Sequence, residues 1–225
     1  MIKKILLYFF IFIIFLSSIY TNINLINENS IVKKENTYLK VEKDVYSKTL
    51  KINLNSNNEI DIEYTNPKYN DFVHMLNDFK NIYFLISVSE VYGYDWKLFA
   101  VQIFYESTFN SNAISSTGAK GLMQLTRFVY HNDADPFNEI HNLFVGISYF
   151  DYLYNKFSYI ENEKERIKFV LAAYHDGHGK IEIQRKNLII ENINPNKYSN
   201  IKNYLSLECQ KYVDNILTTY NDISI

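Results

Sequence analysis

From residue 72 onward, apolar residues recur every three or four positions over most of the chain, the spacing that gathers them on one face of a helix. The pattern predicts a helical stretch over 72–91, closed by Tyr92-Gly93-Tyr94. Asp95 is a suitable N-cap for a next helix over 96–107. Leu98, Phe99, Val101, Ile103 and Phe104 cover most faces of that helix, so it reads as a buried central one. Asn142 can cap a helix whose apolar positions are Leu143, Gly146, Tyr149, Phe150, Leu153 and Phe157. Ile167, Val170, Leu171 and Tyr174 form a further stripe, ended by Gly177 as a C-terminal cap. The acidic and basic run from 161 to 166 is read as the solvated start of a helix, with acids in its first turn. Leu205, Cys209, Tyr212, Val213, Ile216, Leu217 and Tyr220 line one face of a last helix. Residues 71–225 are therefore expected to form one mainly α domain.

The amino-terminal third has a different pattern. Lys3 and Lys4 precede an unbroken apolar run over 5–16 and then Ser17 and Ser18, so 1–20 reads as a signal peptide or an N-terminal membrane anchor. Small residues that favour cleavage are scarce, and the run is short of the roughly 20 residues a full span takes, so both readings stay open. Residues 21–70 are rich in Asn, Lys, Glu and Ser without a sustained period and read as a polar tether or loosely ordered arm. Either way the domain is expected outside the cytoplasmic membrane, secreted or anchored.

Composition narrows the partners. With Lys+Arg 23 against Asp+Glu 25, no basic excess exists to neutralise a phosphate backbone, which argues against nucleic acid. The single cysteine, Cys209, excludes an intrachain disulfide and sits at helical spacing among apolar residues, as a buried thiol would. The histidines lack a zinc-binding spacing, although His175, Asp176 and His178 form a local cluster. No metal or cofactor is expected. With Gly 6 in the whole chain, their clustering is informative: Gly118 and Gly121 mark a place where the backbone takes a positive φ or approaches a ligand, and Gly177 and Gly179 flank a second segment.

Glu106 stands one turn after Gln102 at the end of the buried helix, where apolar walls would desolvate its carboxyl and raise its pKa, as a general acid requires. An arbitrary glutamate at a helix end points into water, so context must decide. That context is Glu106-Ser107-Thr108-Phe109-Asn110, Ser115, and Gly118-Ala119-Lys120-Gly121-Leu122-Met123-Gln124, followed by Leu171-Ala172-Ala173-Tyr174 with Gly177, and by Tyr212-Val213. In this order and spacing the blocks resemble the soluble lytic transglycosylase (SLT) catalytic-domain family. Gly179-Lys180-Ile181, Gln184 and Asn194-Pro195-Asn196 are similar to the catalytic module of membrane-bound murein transglycosylase F.

The resemblance implies a lysozyme-like helical domain of the goose-type lysozyme and SLT kind, acting on peptidoglycan glycan strands, and the chain is expected to be a monomer. In that family pattern Glu106 would be the sole catalytic acid and base, Ser115 would bond near the substrate's acetyl group, Gln124 would line the sugar site, Met123 would lie on a sugar face, and Tyr174 would reach the glutamate. Met123 fits a core position equally well, and Ser115 and Gly118 could serve only as turn formers. Two departures stand out: His175-Asp176 replaces the usual Asn-Ala, and Arg127-Phe128-Val129 replaces Pro-Thr-Ala. The alternatives are a goose-type lysozyme-like hydrolase, for which Asp176 is the motif-adjacent second carboxylate, and a non-catalytic peptidoglycan-binding scaffold.

Overall fold

The computed structural model describes residues 40, 43–45, 67–129 and 135–223. The targeting run and nearly all of the polar arm lie outside them. The chain divides into two units, 1–44 and 45–225, and the second holds the helical domain. A short 3-10 turn, Pro67–Tyr69, leads into α1 (Asn70–Asn77), α2 (Ile82–Tyr92), α3 (Trp96–Ser107), α4 (Glu139–Lys156), α5 (Glu163–Asp176), α6 (His178–Ile190), α7 (Tyr198–Ile201) and α8 (Leu207–Ile223). The fold is mainly α, and no strand occurs among the described residues; the loop between α3 and α4 carries only isolated antiparallel bridges, Ile114 with Lys120 and Lys120 with Leu125.

Helix α3 is the axis. Every residue from 98 to 103 is buried, and α1, α2 and α8 all pack on it. Burial on all sides follows from an apolar surface that no single neighbour could cover. Asp95 accepts from the Lys97 amide at 3.0 Å and caps α3 as expected. Gly93, at φ +79°, closes α2 in the left-handed conformation open to glycine. The second layer is centred on α5, which packs against α4, α6, α7 and α8, so α8 bridges the two halves by touching both α3 and α5.

Two expectations change, and one helix is added. The stretch over 72–91 is two helices, broken between Asn77 and Ile82; Phe79 stays buried within the turn against Phe109, so the apolar spacing runs on although the helix stops. Asn142 is not a cap. Asn138 caps α4, accepting from the His141 amide at 3.1 Å, and Asn142 is buried one turn inside the helix. Helix α6 lacked a legible stripe because its inward positions, Ile181, Arg185 and Leu188, carry a charge in the middle. Buried Arg185 is satisfied by the Pro195 carbonyl, Asn196 Oδ1, the Tyr159 hydroxyl and Glu182.

Candidate active site

Glu106 occupies the last turn of α3. Beyond Ser107 the backbone reverses through Thr108 and Phe109, both at positive φ, and Ser107 Oγ donates to the Leu122 carbonyl at 2.8 Å. The helix end is thus tied to the loop that follows it. Tyr212, on the inner face of α8, donates its hydroxyl to Glu106 Oε1 at 2.5 Å and accepts from Gln102 Nε2 at 3.1 Å. Gln102 lies four residues before Glu106, on the same helical face.

Burial pushes the Glu106 carboxyl up to about 7, against the opposing bonds from Tyr212 and Gln102. The phenols of Tyr212 and Tyr174 are raised well above their ordinary value, first by burial and then by the adjacent Glu106 charge, so both remain protonated donors. One carboxyl able to carry or release a proton near neutral pH, on a wall of fixed donors, is suited to general acid and base work.

Tyr174 is the second tyrosine beside Glu106. It lies close enough to sense the Glu106 charge, but its hydroxyl donates to the Met123 carbonyl at 3.1 Å. The tyrosine bonded to the glutamate is Tyr212. In sequence, Tyr212 counted as part of an apolar helix face and of a closing motif; the position of Gln102 one turn before Glu106 was the available signal for a polar network there.

The remaining motif residues shape the loop over 113–125. Ser115 Oγ accepts from the Ala119 amide at 3.0 Å and shares a bond with Thr117. Gln124, itself at positive φ, donates from Nε2 to the Gly121 and Ala113 carbonyls. Met123 is wholly buried with its side chain against Gly146, where an added Cβ would collide with it, so the core alternative describes its position. Asn142 clamps this loop from α4: Oδ1 accepts from the Met123 amide at 2.7 Å, and Nδ2 donates to the Lys120 and Pro136 carbonyls. Gly121 combines a positive φ with a Cβ position already filled by Asn142 and the Pro136 carbonyl, which makes its close approach internal to the protein.

Sequence grouped His178 with His175 and Asp176, but the fold separates it. The His178 ring lies on Phe157, while His175, Asp176 and Cys209 bring three possible metal-donor atoms within 4.8 Å of one another. Lys180 Nζ already bonds Asp176 Oδ2, and burial pushes the Cys209 thiol up to about 12, away from the thiolate that ligates metals. The cluster is better suited to an internal ion pair than to an ion.

Fold and site together define a mainly α, lysozyme-like domain built around one partly buried glutamate. Its architecture is matched by the 70 kDa soluble lytic transglycosylase of Escherichia coli, with a TM-score of 0.51 and 20% identity over 68% of this chain and 25% of that one. Residues 85–195 match the family described as Transglycosylase SLT domain. Curated relatives named membrane-bound lytic murein transglycosylase F include one from Desulfosudis oleivorans, 31% identical over 58% of this chain and 33% of its own length. Another, from Yersinia pseudotuberculosis, is 37% identical over 52% of this chain and 24% of its own length. The match therefore spans about a third or less of these relatives.

Proposed function

We propose that this chain is a peptidoglycan lytic transglycosylase that cuts the β-1,4 bond between N-acetylmuramic acid and N-acetylglucosamine and leaves a 1,6-anhydromuramyl end. The observation that carries the reading is the Glu106 carboxyl, raised to about 7 and held by Tyr212 at the edge of the motif loop. The SLT-domain match and the names of the relatives point the same way.

In this mechanism Glu106 starts protonated and gives its proton to the bridging oxygen as the C1–O4 bond breaks. The substrate's own N-acetyl oxygen steadies the positive charge at C1, as in the substrate-assisted exceptions to two-carboxylate hydrolysis. The resulting Glu106 carboxylate takes the proton from the muramyl 6-hydroxyl as O6 bonds to C1, which restores the acid without water. The Tyr212 hydroxyl stabilises the ionised interval. Ser115 and Gln124 are proposed as substrate contacts on the 113–125 loop, with Tyr174 supporting that loop through the Met123 carbonyl. A hydrolase would require Asp176 to direct a water, but that carboxylate is engaged by Lys180, His175 and Ser206.

Cell-envelope localisation, association with the membrane through residues 1–20, and a monomeric state belong to the same proposal. No helix among the described residues is long and apolar enough to cross a membrane.

Mass spectrometry of purified peptidoglycan digests tests the reaction. Anhydromuramyl products, one water lighter than hydrolytic ones, are expected from the native chain, with Glu106→Gln lowering turnover by at least about 10⁴-fold. Reducing-end products, or near-native turnover by that variant, would overturn the proposal.

A further inference from the structure

The His175-Asp176 pair, where the family pattern has Asn-Ala, links three helices beside Glu106. Asp176 is the last residue of α5. Its carboxylate bonds His175 Nδ1 at 2.9 Å, Lys180 Nζ of α6 at 2.5 Å, and Ser206 Oγ at 3.3 Å. Ser206 in turn accepts from the Cys209 amide at 3.1 Å, the bond that caps the start of α8. An anion is thereby placed where the exposed amides of α8 favour one. Further along that helix stands Tyr212, and the imidazole of His175 lies against its ring, with centroids 4.9 Å apart at 44°.

We propose that His175 and Asp176 form a clasp that positions the Tyr212 hydroxyl on the Glu106 carboxyl: Asp176 fixes the start of α8, and His175, oriented by its bond to Asp176, holds the face of the Tyr212 ring. Both are positioning residues acting through Tyr212. The inference rests on the reading of Glu106 as acid and base, and it extends that reading to two residues the family pattern does not supply. The groups around Glu106 are Gln102 on its own helix, Tyr212 from α8 and Tyr174 from α5. Those around His175 are Asp176 on its own helix, Lys180 of α6, and Tyr212 and Cys209 of α8.

A hydroxyl donating to a carboxylate favours the ionised form, so loosening Tyr212 should move the Glu106 titration upward. The test is a ¹³C NMR titration of glutamate carboxyls in the full chain, with the Glu106 signal identified by its loss in Glu106→Gln. Tyr212→Phe should raise the midpoint, and His175→Ala should raise it by a smaller step. His175→Phe, which keeps a ring on Tyr212 without the ring nitrogens, should stay nearer the native value. Asp176→Asn should also raise it, whereas loss of a nearby negative charge alone would lower it. In a Tyr212→Phe background, His175→Ala should add nothing. The clasp is overturned if His175→Ala leaves the midpoint in place while Tyr212→Phe moves it, or if His175→Ala shifts it equally in both backgrounds. Should Asp176→Asn unfold, by circular dichroism, the His175 variants decide the matter. On peptidoglycan the alkaline limb of kcat/KM should follow the midpoint with KM unchanged. Absence of any native cleavage would remove the proposed function while the titration still judged the clasp.

Discussion

The proton on Glu106 has a cost for folding as well as a use in catalysis. In the unfolded chain its carboxyl titrates near 4.5, and in the folded chain near 7, so the folded state holds the proton to higher pH. By linkage, stability should fall as pH rises between those two values. The interval corresponds to about 3 kcal/mol at one pKa unit per ~1.4 kcal/mol, and partial solvent access should leave roughly 1–2 kcal/mol. Glu106→Gln keeps an acceptor for Tyr212 and removes the titration. Urea midpoints at pH 5 and pH 8 should therefore show the variant gaining stability relative to the native chain at the higher pH; an equal difference at both would refute the assignment. Glu106 was legible in sequence because a motif surrounds it. Tyr212 was not, because an apolar helix face is the commoner setting for an aromatic at that spacing, and only the approach of α8 to α3 brings its hydroxyl to the carboxyl.

At the scale of elements, the loop over 113–125 owes its shape to α4. Asn142 satisfies one amide and two carbonyls of neighbouring chain from inside that helix. Asn142→Ala would leave these groups unpaired in a buried place, a loss of about 2–4 kcal/mol. Denaturant unfolding should register that loss, and turnover should drop further than stability does, because Ser115 and Gln124 sit on the loop it clamps. Stability within about 0.5 kcal/mol of native would show that water replaces the side chain. Sequence marked Asn142 as a helix cap for a sound local reason, since Asn before an apolar run commonly is one. Asn138 fills that role instead, and a residue's preference cannot tell a cap from a clamp when both use the same amide group. The break between α1 and α2 and the course of α6 were hidden in a similar way: Phe79 preserves the apolar period across a turn, and Arg185 interrupts it within a helix.

For the whole molecule, the helices α1 to α8 begin after residue 69, and the site is assembled from α3, α5, α8 and the loop tied to α4. A chain lacking residues 1–20 should therefore stay folded, remain in solution and keep its activity on peptidoglycan. Gel filtration with circular dichroism and digestion assays would check this, and aggregation or loss of turnover would count against the proposed role of the segment as a targeting or anchoring element. Helical class, the central buried helix and the glutamate proposed as catalytic were all readable along the chain, because periodicity and short-range motifs are properties of neighbouring residues. The donor to Glu106, the clamp by Asn142, the burial of Met123 and the grouping of His175 and Asp176 with Tyr212 depended on the packed fold. Each is a contact between residues distant in sequence, and the directions of their side chains are set by which helices meet, a matter that local preference does not encode.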